Sequence, residues 1–276
     1  MNDTIIEIKP FLRWAGGKTW LTKEVEKFIP NNFNNYFEPF LGGGSIFIHL
    51  KTVEKIEKKA YLSDINSELI NAYQVLKSKP VQLISSLSKH QNNEAYYYNL
   101  RSRDVIDPVE RASKFIFLNR TSFNGIYREN MQGEYNVPYG FKQYKTLFDT
   151  DNLINLSCAF KSSFFSHGDF KKIANKIKQN DLVFIDPPYT VAHGNNGFIK
   201  YNQKIFSWKD QVRLSKFIEF LIERGAYYIM TNAHHESIID LFGDYGDITI
   251  LSRASVVGGK KAKRTKYEEI ILSNIS

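Results

Sequence analysis

The amino-acid sequence predicts an α/β protein with a doubly wound, mostly parallel sheet. Three observations support this class. Short apolar segments typical of strands alternate with segments of helical spacing, a triple-glycine turn joins a strand to a helix, and the chain ends in two strand-like segments. Alternating strands and helices favour a parallel sheet covered on both faces, whereas two consecutive strands favour an antiparallel edge.

The first quarter of the chain predicts one strand-helix-strand unit. A Gly-Gly turn at 16–17 precedes a helical segment that should end at Pro30. A short aromatic strand then leads into the glycines at 42–44 and a helix. The next strand should end at Asp64, before a helix that stops at Pro80. This unit therefore carries an acid directly after its second strand.

Residues 71–150 are predicted to form an insertion that splits a core domain made of 1–70 and 151–276. Helical segments in this insertion are followed by a stretch rich in glycine, asparagine and aromatic residues, which predicts a hairpin or a long loop. Alternation then resumes. We expect strands near Phe164, at 181–186 and at 226–232, helices at 171–179 and 208–225, and two terminal strands that flank a basic loop.

Composition limits the class of protein and its partners. The net charge is +8, and positive residues concentrate at 258–267, which favours a polyanionic partner; a solvated basic face is the alternative. Cys158 is the only cysteine, so an internal disulfide and multi-cysteine zinc sites are excluded. No segment resembles a signal peptide or a membrane span. We expect a soluble, cytoplasmic protein without a metal ion.

The glycine-rich turn and Asp64 together suggest a ligand site at the carboxyl ends of the strands. Glycines there let the backbone approach a ligand closely, although the full dinucleotide fingerprint is missing and a simple helix-entry turn is the alternative. An acid at the end of the next strand lies where a ribose hydroxyl would be bound. Asp64 could instead cap the following helix, or do both.

The segment Asp186-Pro187-Pro188-Tyr189 ends an apolar strand with a carboxylate and a flat ring. The prolines restrict the backbone, so the carboxylate and a carbonyl can be held as fixed acceptors. Two acceptors and a stacking ring suit a flat heterocycle with an exocyclic amine, whose nucleophilicity rises when its protons are hydrogen bonded. A rigid turn with a surface acid is the alternative.

Six motifs in order give the chain a resemblance to a known family. It resembles the Dam-like DNA adenine-N(6) methyltransferases through FLRWAGGK, FEPFLGGGSIF, LSDINSELI, FLNRTSFNGIYRENMQGEYNVPYG, DPPY and SRASVVGGKKAKRTKYEEIIL. The resemblance implies a Rossmann-like methyltransferase domain at 1–70 and 151–276, and a target-recognition domain at 71–150. It also implies S-adenosyl-L-methionine as cofactor, S-adenosyl-L-homocysteine as product and double-stranded DNA as substrate.

The resemblance also implies site residues. The catalytic segment would be Asp186, Pro187, Pro188 and Tyr189, with the amine held by Asp186 and the Pro187 carbonyl and the flipped base stacked on Tyr189. The implied cofactor residues are Trp14, Ala15, Gly16, Lys18, Glu38, Phe40, Gly42, Gly43, Gly44, Ser45, Asp64, Asp169 and Asp186.

DNA-binding residues follow from the same resemblance. Phe123 would fill the space left by the flipped base, and Lys260, Lys261, Lys263 and Arg264 suit phosphate contacts. The implied base-reading positions, which favour GATC, are Arg13, Asn124, Ile126, Arg128 and Pro138. Lys142 replaces an aromatic residue of the family and leaves the outer base pair open.

Several features have plainer or open interpretations. Tyr96, Tyr97 and Tyr98 are expected to pack a helix, and His234 and His235 lack metal-ligand spacing. Phe198, Tyr201 and Phe206 could line the pocket of the flipped base or pack a loop. The rival functions are adenine methylation at a different GAT-containing site, methylation of an RNA adenine or a protein amide, and nucleic-acid binding without catalysis. A cognate restriction endonuclease, a monomeric state and association with the nucleoid are further expectations.

Overall fold

The computed structural model describes residues 7–130, 134–191, 206–254 and 266–275 and confirms the predicted α/β class. Its seven described strands form a mostly parallel sheet: β1 Tyr36–Glu38, β2 Ala60–Asp64, β3 Ser163–His167, β4 Leu182–Ile185, β5 Tyr227–Ala233, β6 Asp247–Ala254 and β7 Lys266–Ser273. Contacts along the chain divide it into two compact units, Met1–Lys23 with Leu41–Phe170 and Glu24–Phe40 with Lys171–Ser276.

The helices follow the predicted alternation. They are α1 Thr22–Glu26, α2 Ser45–Thr52, α3 Ser67–Ser78, α4 Pro80–Leu87, α5 Glu94–Ser102, α6 Pro108–Thr121, α7 Thr150–Ala159, α8 Trp208–Glu223 and α9 Glu236–Phe242. One prediction was wrong in detail. The helix expected at 171–179 is a 3-10 helix, Phe170–Lys176, in which Phe170 and Ile173 are both buried. Residues three apart lie on the same face of a 3-10 helix, so this geometry buries both side chains.

The first unit contains β2, β3 and most of the helices. Strands β2 and β3 pair in parallel, with Asp64 opposite His167 at their carboxyl ends. Helix α3 packs its buried face, including Tyr73, near this pair, where the Tyr73 ring stacks on Phe165 at 5.0 Å. Residues 71–150 lie in this unit, and they have a hydrophobic core of their own made of Tyr97, Leu100, Phe117, Leu118 and Tyr139.

The tyrosines at 96–98 have different roles within residues 71–150. Tyr97 is fully buried in its core, and Tyr96 packs against that core, as the sequence predicts. The Tyr98 side chain lies at the surface, where the Arg101 guanidinium carbon lies over its ring, 4.8 Å from the ring centroid. The cluster therefore serves mainly to pack α5.

The second unit contains the remaining strands, joined in the order β1, β4, β5, β7 and β6. The first three are parallel, whereas β7 is antiparallel to both β5 and β6, which confirms the antiparallel edge predicted from the terminal strands. The apolar residues of β4, Leu182–Ile185, are all buried. The carboxyl end of β4 leads directly into Asp186.

Local signals explain how α8 begins and ends. Ser207 caps its N-terminus through a reciprocal capping box with Asp210. Gly225, with φ of +67°, follows its C-terminus, where a left-handed residue commonly closes a helix. Among the helices that the structure describes, none combines the length and the apolar character needed to cross a bilayer.

Candidate functional site

The glycine-rich turn between β1 and α2 depends on the absence of side chains. Gly42 and Gly44 have φ of +49° and +64°, values that disfavour other residues. A Cβ at Gly42 would lie 2.8 Å from Cδ1 of Trp14, and one at Gly44 would lie 2.7 Å from the Tyr73 hydroxyl. Gly43 also lies against Trp14, whose Cβ would be 3.0 Å from an added Cβ. The three glycines thus let the turn pack closely against these aromatic residues.

The Asp64 carboxylate is held by main-chain donors. Its Oδ2 accepts the Gly42 N–H and its Oδ1 accepts the Asn66 N–H, both at 2.9 Å. Burial raises the pKa of Asp64, while hydrogen bonds from the backbone of Gly42, Asn66 and Ile65 oppose that rise. A carboxylate offers about four acceptor sites, so capacity remains for a ligand hydroxyl.

The cap of α3 is provided by Asn66 and not by Asp64. The Asn66 side-chain oxygen accepts the Leu69 N–H at 2.9 Å. The alternative interpretation of Asp64 as the helix cap is therefore wrong. Because α3 has its own cap, the Asp64 carboxylate is free of that role.

Asp169 lies two residues after the end of β3, the strand that pairs with β2. The residue before it, Gly168, is hydrogen bonded to Asp64. The Gly168 N–H donates to the Asp64 main-chain carbonyl at 3.0 Å, and His167 pairs with Asp64 across the two strands. The predicted ribose acid and the segment predicted to contact adenine are thus joined by main-chain hydrogen bonds.

The segment 13–18 is anchored by residues that sequence reasoning missed. The Asn119 side chain accepts the Arg13 N–H and donates to the Arg13 carbonyl, both at 2.8 Å. The Trp14 ring stacks on Tyr127, with centroids 5.3 Å apart and planes 19° apart. Further along the segment, Ala15 and Gly16 are exposed, whereas the buried Lys18 ammonium donates to the Gly16 carbonyl at 3.1 Å.

Ser45, the first residue of α2, makes a hydroxyl contact within the same unit. Its Oγ lies 3.2 Å from Oγ1 of Thr19, which places this predicted cofactor residue beside the segment 13–18. Ser45 and the glycine-rich turn thus both lie beside the N-terminal segment, Ser45 through Thr19 and the turn through Trp14.

In the second unit, Asp186 and Tyr189 are held by side chains from two other strands. The Thr231 hydroxyl on β5 donates to Asp186 Oδ1 at 2.7 Å. The Tyr189 hydroxyl donates to Oε2 of the buried Glu269 on β7 at 2.8 Å. Burial, followed by the charges of Asp186 and Glu269, raises the pKa of Tyr189 well above its usual range. The phenol therefore stays protonated and able to donate.

Four further predicted site residues lie in this unit. The buried Glu38 carboxylate accepts the Tyr36 hydroxyl at 2.7 Å, and burial and Glu38 together raise the pKa of Tyr36. Phe40 packs edge-on against Phe206, with ring centroids 5.5 Å apart. Pro187 is buried, while Pro188 is only partly so.

A loop after α6 carries the residues predicted to contact DNA. Its two sides meet where the Phe123 N–H donates to the Pro138 carbonyl at 2.9 Å and the Gly140 N–H to the Thr121 carbonyl at 2.8 Å. The Phe123 side chain is 53% exposed, although it is large and apolar. Asn124 follows it with φ of +56°, a conformation that asparagine tolerates better than most residues.

The middle of this loop is an irregular hairpin. Glu129 and Tyr135 form an antiparallel bridge, and the Asn136 N–H donates to the Arg128 carbonyl at 3.0 Å. The Arg128 Nε donates to the Asn136 side chain at 2.8 Å, which restrains the guanidinium of this exposed residue. The Ile126 carbonyl accepts the Tyr135 hydroxyl at 3.1 Å. The sequence predicted either a hairpin or a long loop in this region, and the structure shows a long loop that contains a short hairpin.

Three cations surround the Tyr144 ring. The Arg120, Lys142 and Arg13 charges lie 4.4, 5.4 and 5.8 Å from its centroid, and the Tyr144 hydroxyl donates to the Arg120 carbonyl at 2.8 Å. None of the ion pairs between described residues involves these three side chains. Sequence reasoning identified Arg13 and Lys142 but missed Arg120 and Tyr144, for which the aromatic and basic character of the region was the available signal.

The two adjacent histidines bind protein groups, and several other predicted residues lie outside the described ranges. His234 pairs with Glu268 through Nδ1 and Oε2 at 2.7 Å, and the His235 ring accepts the Ser237 N–H at the start of α9. Residues that lie outside the described part of the chain are Phe198, Tyr201, Lys260, Lys261, Lys263 and Arg264.

Comparison with known proteins decides the family. The profile of the D12 class N6 adenine-specific DNA methyltransferases matches residues 14–257. The chain belongs to this family. It is an adenine-specific DNA methyltransferase whose glycine-rich turn, Asp64 and Asp186 segment all lie within the matched range.

Relatives match this methyltransferase along nearly its whole length. The Type II methyltransferase M1.LlaDCHI of Lactococcus lactis subsp. cremoris is 34% identical over 98% of this chain and 96% of its own. The Type II methyltransferase M.MjaIII of Methanocaldococcus jannaschii is 34% identical over 97% of this chain and 100% of its own. A DNA adenine methylase of Haemophilus influenzae is 31% identical over 96% of this chain and 88% of its own.

Proposed function

We propose that this enzyme transfers the methyl group of S-adenosyl-L-methionine to the exocyclic amine of an adenine flipped out of duplex DNA, within GATC. The observation that carries the proposal is the pair of hydrogen bonds that hold Asp186 and Tyr189 at the end of β4. They supply a fixed acceptor and an oriented ring, which are the groups that a flat base with an amine requires.

The first unit supplies groups that suit the cofactor. Asp64 is proposed to bind the ribose, because main-chain donors fix its carboxylate and leave acceptor capacity. Asp169 is proposed to contact the adenine of the cofactor. The sulfonium of the bound cofactor supplies an already activated methyl group. The other proposed cofactor residues are Trp14, Ala15, Gly16, Lys18, Glu38, Phe40, Gly42, Gly43, Gly44 and Ser45.

The second unit supplies the groups that act on the target base. Asp186 and the Pro187 carbonyl accept hydrogen bonds from the two amine protons, which makes the nitrogen lone pair available to attack the methyl carbon. The N–C bond forms as the S–C bond breaks, and the nitrogen then loses one proton, for which Asp186 is the nearest acceptor. Thr231 occupies one lone pair of Asp186 Oδ1 and so restricts where the carboxylate points. Tyr189 stacks on the flipped base, while Pro188 restricts the backbone between the two groups.

The insertion 71–150 is proposed to read the DNA. Phe123 is exposed and suits insertion into the space left by the flipped base. Arg128 has its Nε fixed by Asn136, so its terminal amino groups suit bidentate contact with guanine. The other proposed base-reading residues are Arg13, Asn124, Ile126, Pro138 and Lys142, and Lys260, Lys261, Lys263 and Arg264 are proposed to bind phosphates.

The proposal extends to the partner, the oligomeric state and the cellular location of the enzyme. Two similar proteins are named Type II methyltransferases, which supports a cognate restriction endonuclease as partner of the same system. We propose that the enzyme acts as a monomer in the cytoplasm, in association with the nucleoid through its DNA substrate.

The decisive experiment maps the product. The pure protein is incubated with S-adenosyl-L-methionine and methyl-free genomic DNA, and methyladenine is located at single-base resolution. We expect methylation confined to GATC. Another adenine-containing site would keep the chemistry and overturn the proposed outer bases. Binding of the cofactor without any methyladenine would overturn the proposal in favour of RNA, protein or silent binding.

Substitution of Arg128 tests the proposed base reading. Arg128→Ala should relax discrimination at one guanine by about 1 to 3 kcal/mol, measured as the ratio of kcat/KM for cognate and single-mismatch duplexes. Lys145→Ala, at a nearby exposed position, should leave that ratio unchanged. Equal weakening on all sequences would instead identify Arg128 as a phosphate contact.

A further inference from the structure

We propose that Glu269 is a positioning residue that sets the orientation of the Tyr189 ring for stacking on the target base. The inference rests on the proposed function, in which Tyr189 stacks on the flipped adenine. It adds a residue from the last strand of the protein, 80 positions away from Tyr189, to the machinery of the reaction.

Glu269 is a buried acid with a specific partner. It lies on β7 between Ala233 of β5 and Leu251 of β6, and only 6% of its surface is exposed. Burial of a carboxylate is costly unless hydrogen bonds compensate it. Oε2 of Glu269 accepts the Tyr189 hydroxyl at 2.8 Å, and this hydrogen bond offsets part of that cost.

The contact fixes the ring at its far end. The backbone at Tyr189 is restricted by the two prolines before it, and the hydroxyl is held by Glu269. The hydroxyl oxygen lies on the Cβ–Cγ axis, so holding it restricts rotation about the Cα–Cβ bond and fixes where the ring lies. A phenolic O–H prefers to lie in the plane of its ring, so a hydrogen bond to a fixed acceptor also favours one ring plane before a base arrives. Because the pKa of Tyr189 is raised, the hydroxyl keeps the proton that this hydrogen bond requires.

The sheet places the Tyr189–Glu269 hydrogen bond beside the hydrogen bond between Thr231 and Asp186. Thr231, which donates to Asp186, is two residues before Ala233 on β5, so the two side chains share one face of the sheet. Ala233 pairs with Glu269, and directly paired residues also share a face. Thr231 and Glu269 are therefore diagonal neighbours on adjacent strands. Glu269 accepts the Tyr189 hydroxyl, while Thr231 donates to Asp186 and also interacts with the Tyr189 hydroxyl.

The chain offers a matched control in the preceding residue. Glu268 points to the opposite face of β7, where it pairs with His234 and its side chain is 42% exposed. Substitution of Glu268 changes the same charge in the same strand without touching Tyr189.

The test compares Glu269→Leu, Glu269→Gln and Glu268→Leu in the full-length enzyme. Glu269→Leu should lower kcat roughly 10- to 100-fold, because the Tyr189 hydroxyl loses its acceptor, and KM for the cofactor should stay the same. Glu269→Gln keeps an acceptor oxygen and should restore most of the activity. Glu268→Leu should match the wild type. Thermal melting identifies any variant that fails to fold.

A double-mutant cycle with Tyr189→Phe shows whether Glu269 acts through the hydroxyl. If it does, the effects on kcat of Tyr189→Phe and Glu269→Leu are not additive, because each removes the same hydrogen bond. Additive losses, or equal losses in Glu269→Leu and Glu269→Gln, would overturn the positioning role. So would a wild-type kcat in Glu269→Leu.

A spectroscopic readout separates failure of this inference from failure of the proposed function. The target adenine is replaced by 2-aminopurine, whose fluorescence responds to loss of base stacking and to stacking on an aromatic ring without any turnover. We expect Glu269→Leu to alter the fluorescence of the bound duplex and Glu268→Leu to leave it unchanged. An unaltered signal in Glu269→Leu would overturn the inference alone, and a wild-type enzyme with the signal but no methyladenine would overturn the proposed function alone.

Discussion

Asp64 ends one parallel strand and Asp186 follows another, but the protein holds the two acids in different ways. Asp64 is fixed by main-chain N–H groups of Gly42 and Asn66, the second of them only two residues away. Asp186 is fixed by the side chain of Thr231, 45 residues along the chain. Tyr189 is likewise fixed by the distant Glu269.

The difference separates two ways of building a site. Main-chain donors are present whatever the side chain, so the Asp64 region depends mainly on backbone conformation and on glycine. The region of Asp186 depends on particular side chains and on the register of the strands that carry them. The first should be sensitive to changes in backbone shape, and the second to the loss of single hydroxyl or carboxyl groups.

The largest effect is expected for the side-chain-held acid itself. Asp186→Ala removes the placed acceptor for the amine, so kcat should fall by at least roughly 10³-fold, while cofactor affinity is largely kept. Single-turnover methylation and calorimetric titration of the cofactor measure the two quantities. Near-normal turnover would contradict the role given to Asp186.

Gly42→Ala should damage the main-chain-held region through its backbone. The new Cβ combines a left-handed conformation with a 2.8 Å approach to Trp14, so the free energy of unfolding should fall by about 2 to 4 kcal/mol. Urea unfolding measures the change. Gly16→Ala is a matched control, since its φ is +77° but no atom lies within 4 Å of the added Cβ, and it should lose less stability.

Thr231→Val should show that the second region depends on one hydroxyl. Valine has nearly the same shape, but Asp186 loses a hydrogen bond to a charged group, and kcat should fall roughly 10-fold. Thr231→Ser retains the hydroxyl and should recover most of the rate. If valine and serine behaved alike, packing and not hydrogen bonding would account for the effect.

The smallest effect is expected from a side-chain substitution in the region of Asp64, which main-chain groups hold. Asn66→Ala removes the cap of α3 but keeps the backbone N–H that Asp64 accepts. Stability should fall by about 1 kcal/mol, and cofactor affinity should not change. A marked loss of affinity in isothermal titration would mean that the Asn66 side chain, and not its main chain, supports the site.

The same contrast explains what the sequence could predict. The glycines at 42–44 and Asp64 lie within one strand-helix-strand unit, so their relation follows from local pattern. The terminal antiparallel strands were also predictable, because two apolar segments follow one another without a long helix between them. Both predictions depend on signals that lie close together in the chain.

The partners of Asp186 and Tyr189 could not be predicted in this way. Glu268 and Glu269 are adjacent, identical residues, and only the pairing of Ala233 with Glu269 decides which one is buried. The 3-10 geometry of Phe170–Lys176 was also missed, because the spacing of the buried Phe170 and Ile173 suits one face of either kind of helix. Such outcomes are set by tertiary packing and register.

The amide of Asn119 has a consequence for any exchange of recognition loops between related enzymes. It holds both main-chain groups of Arg13 and also donates to the Gly125 carbonyl at 3.3 Å, while Trp14 stacks on Tyr127. The N-terminal segment and the loop after α6 are thus built against each other. A chimaera that receives a foreign loop without a compatible N-terminal segment would lose these contacts. The two segments should therefore be exchanged together, and we expect them to evolve together.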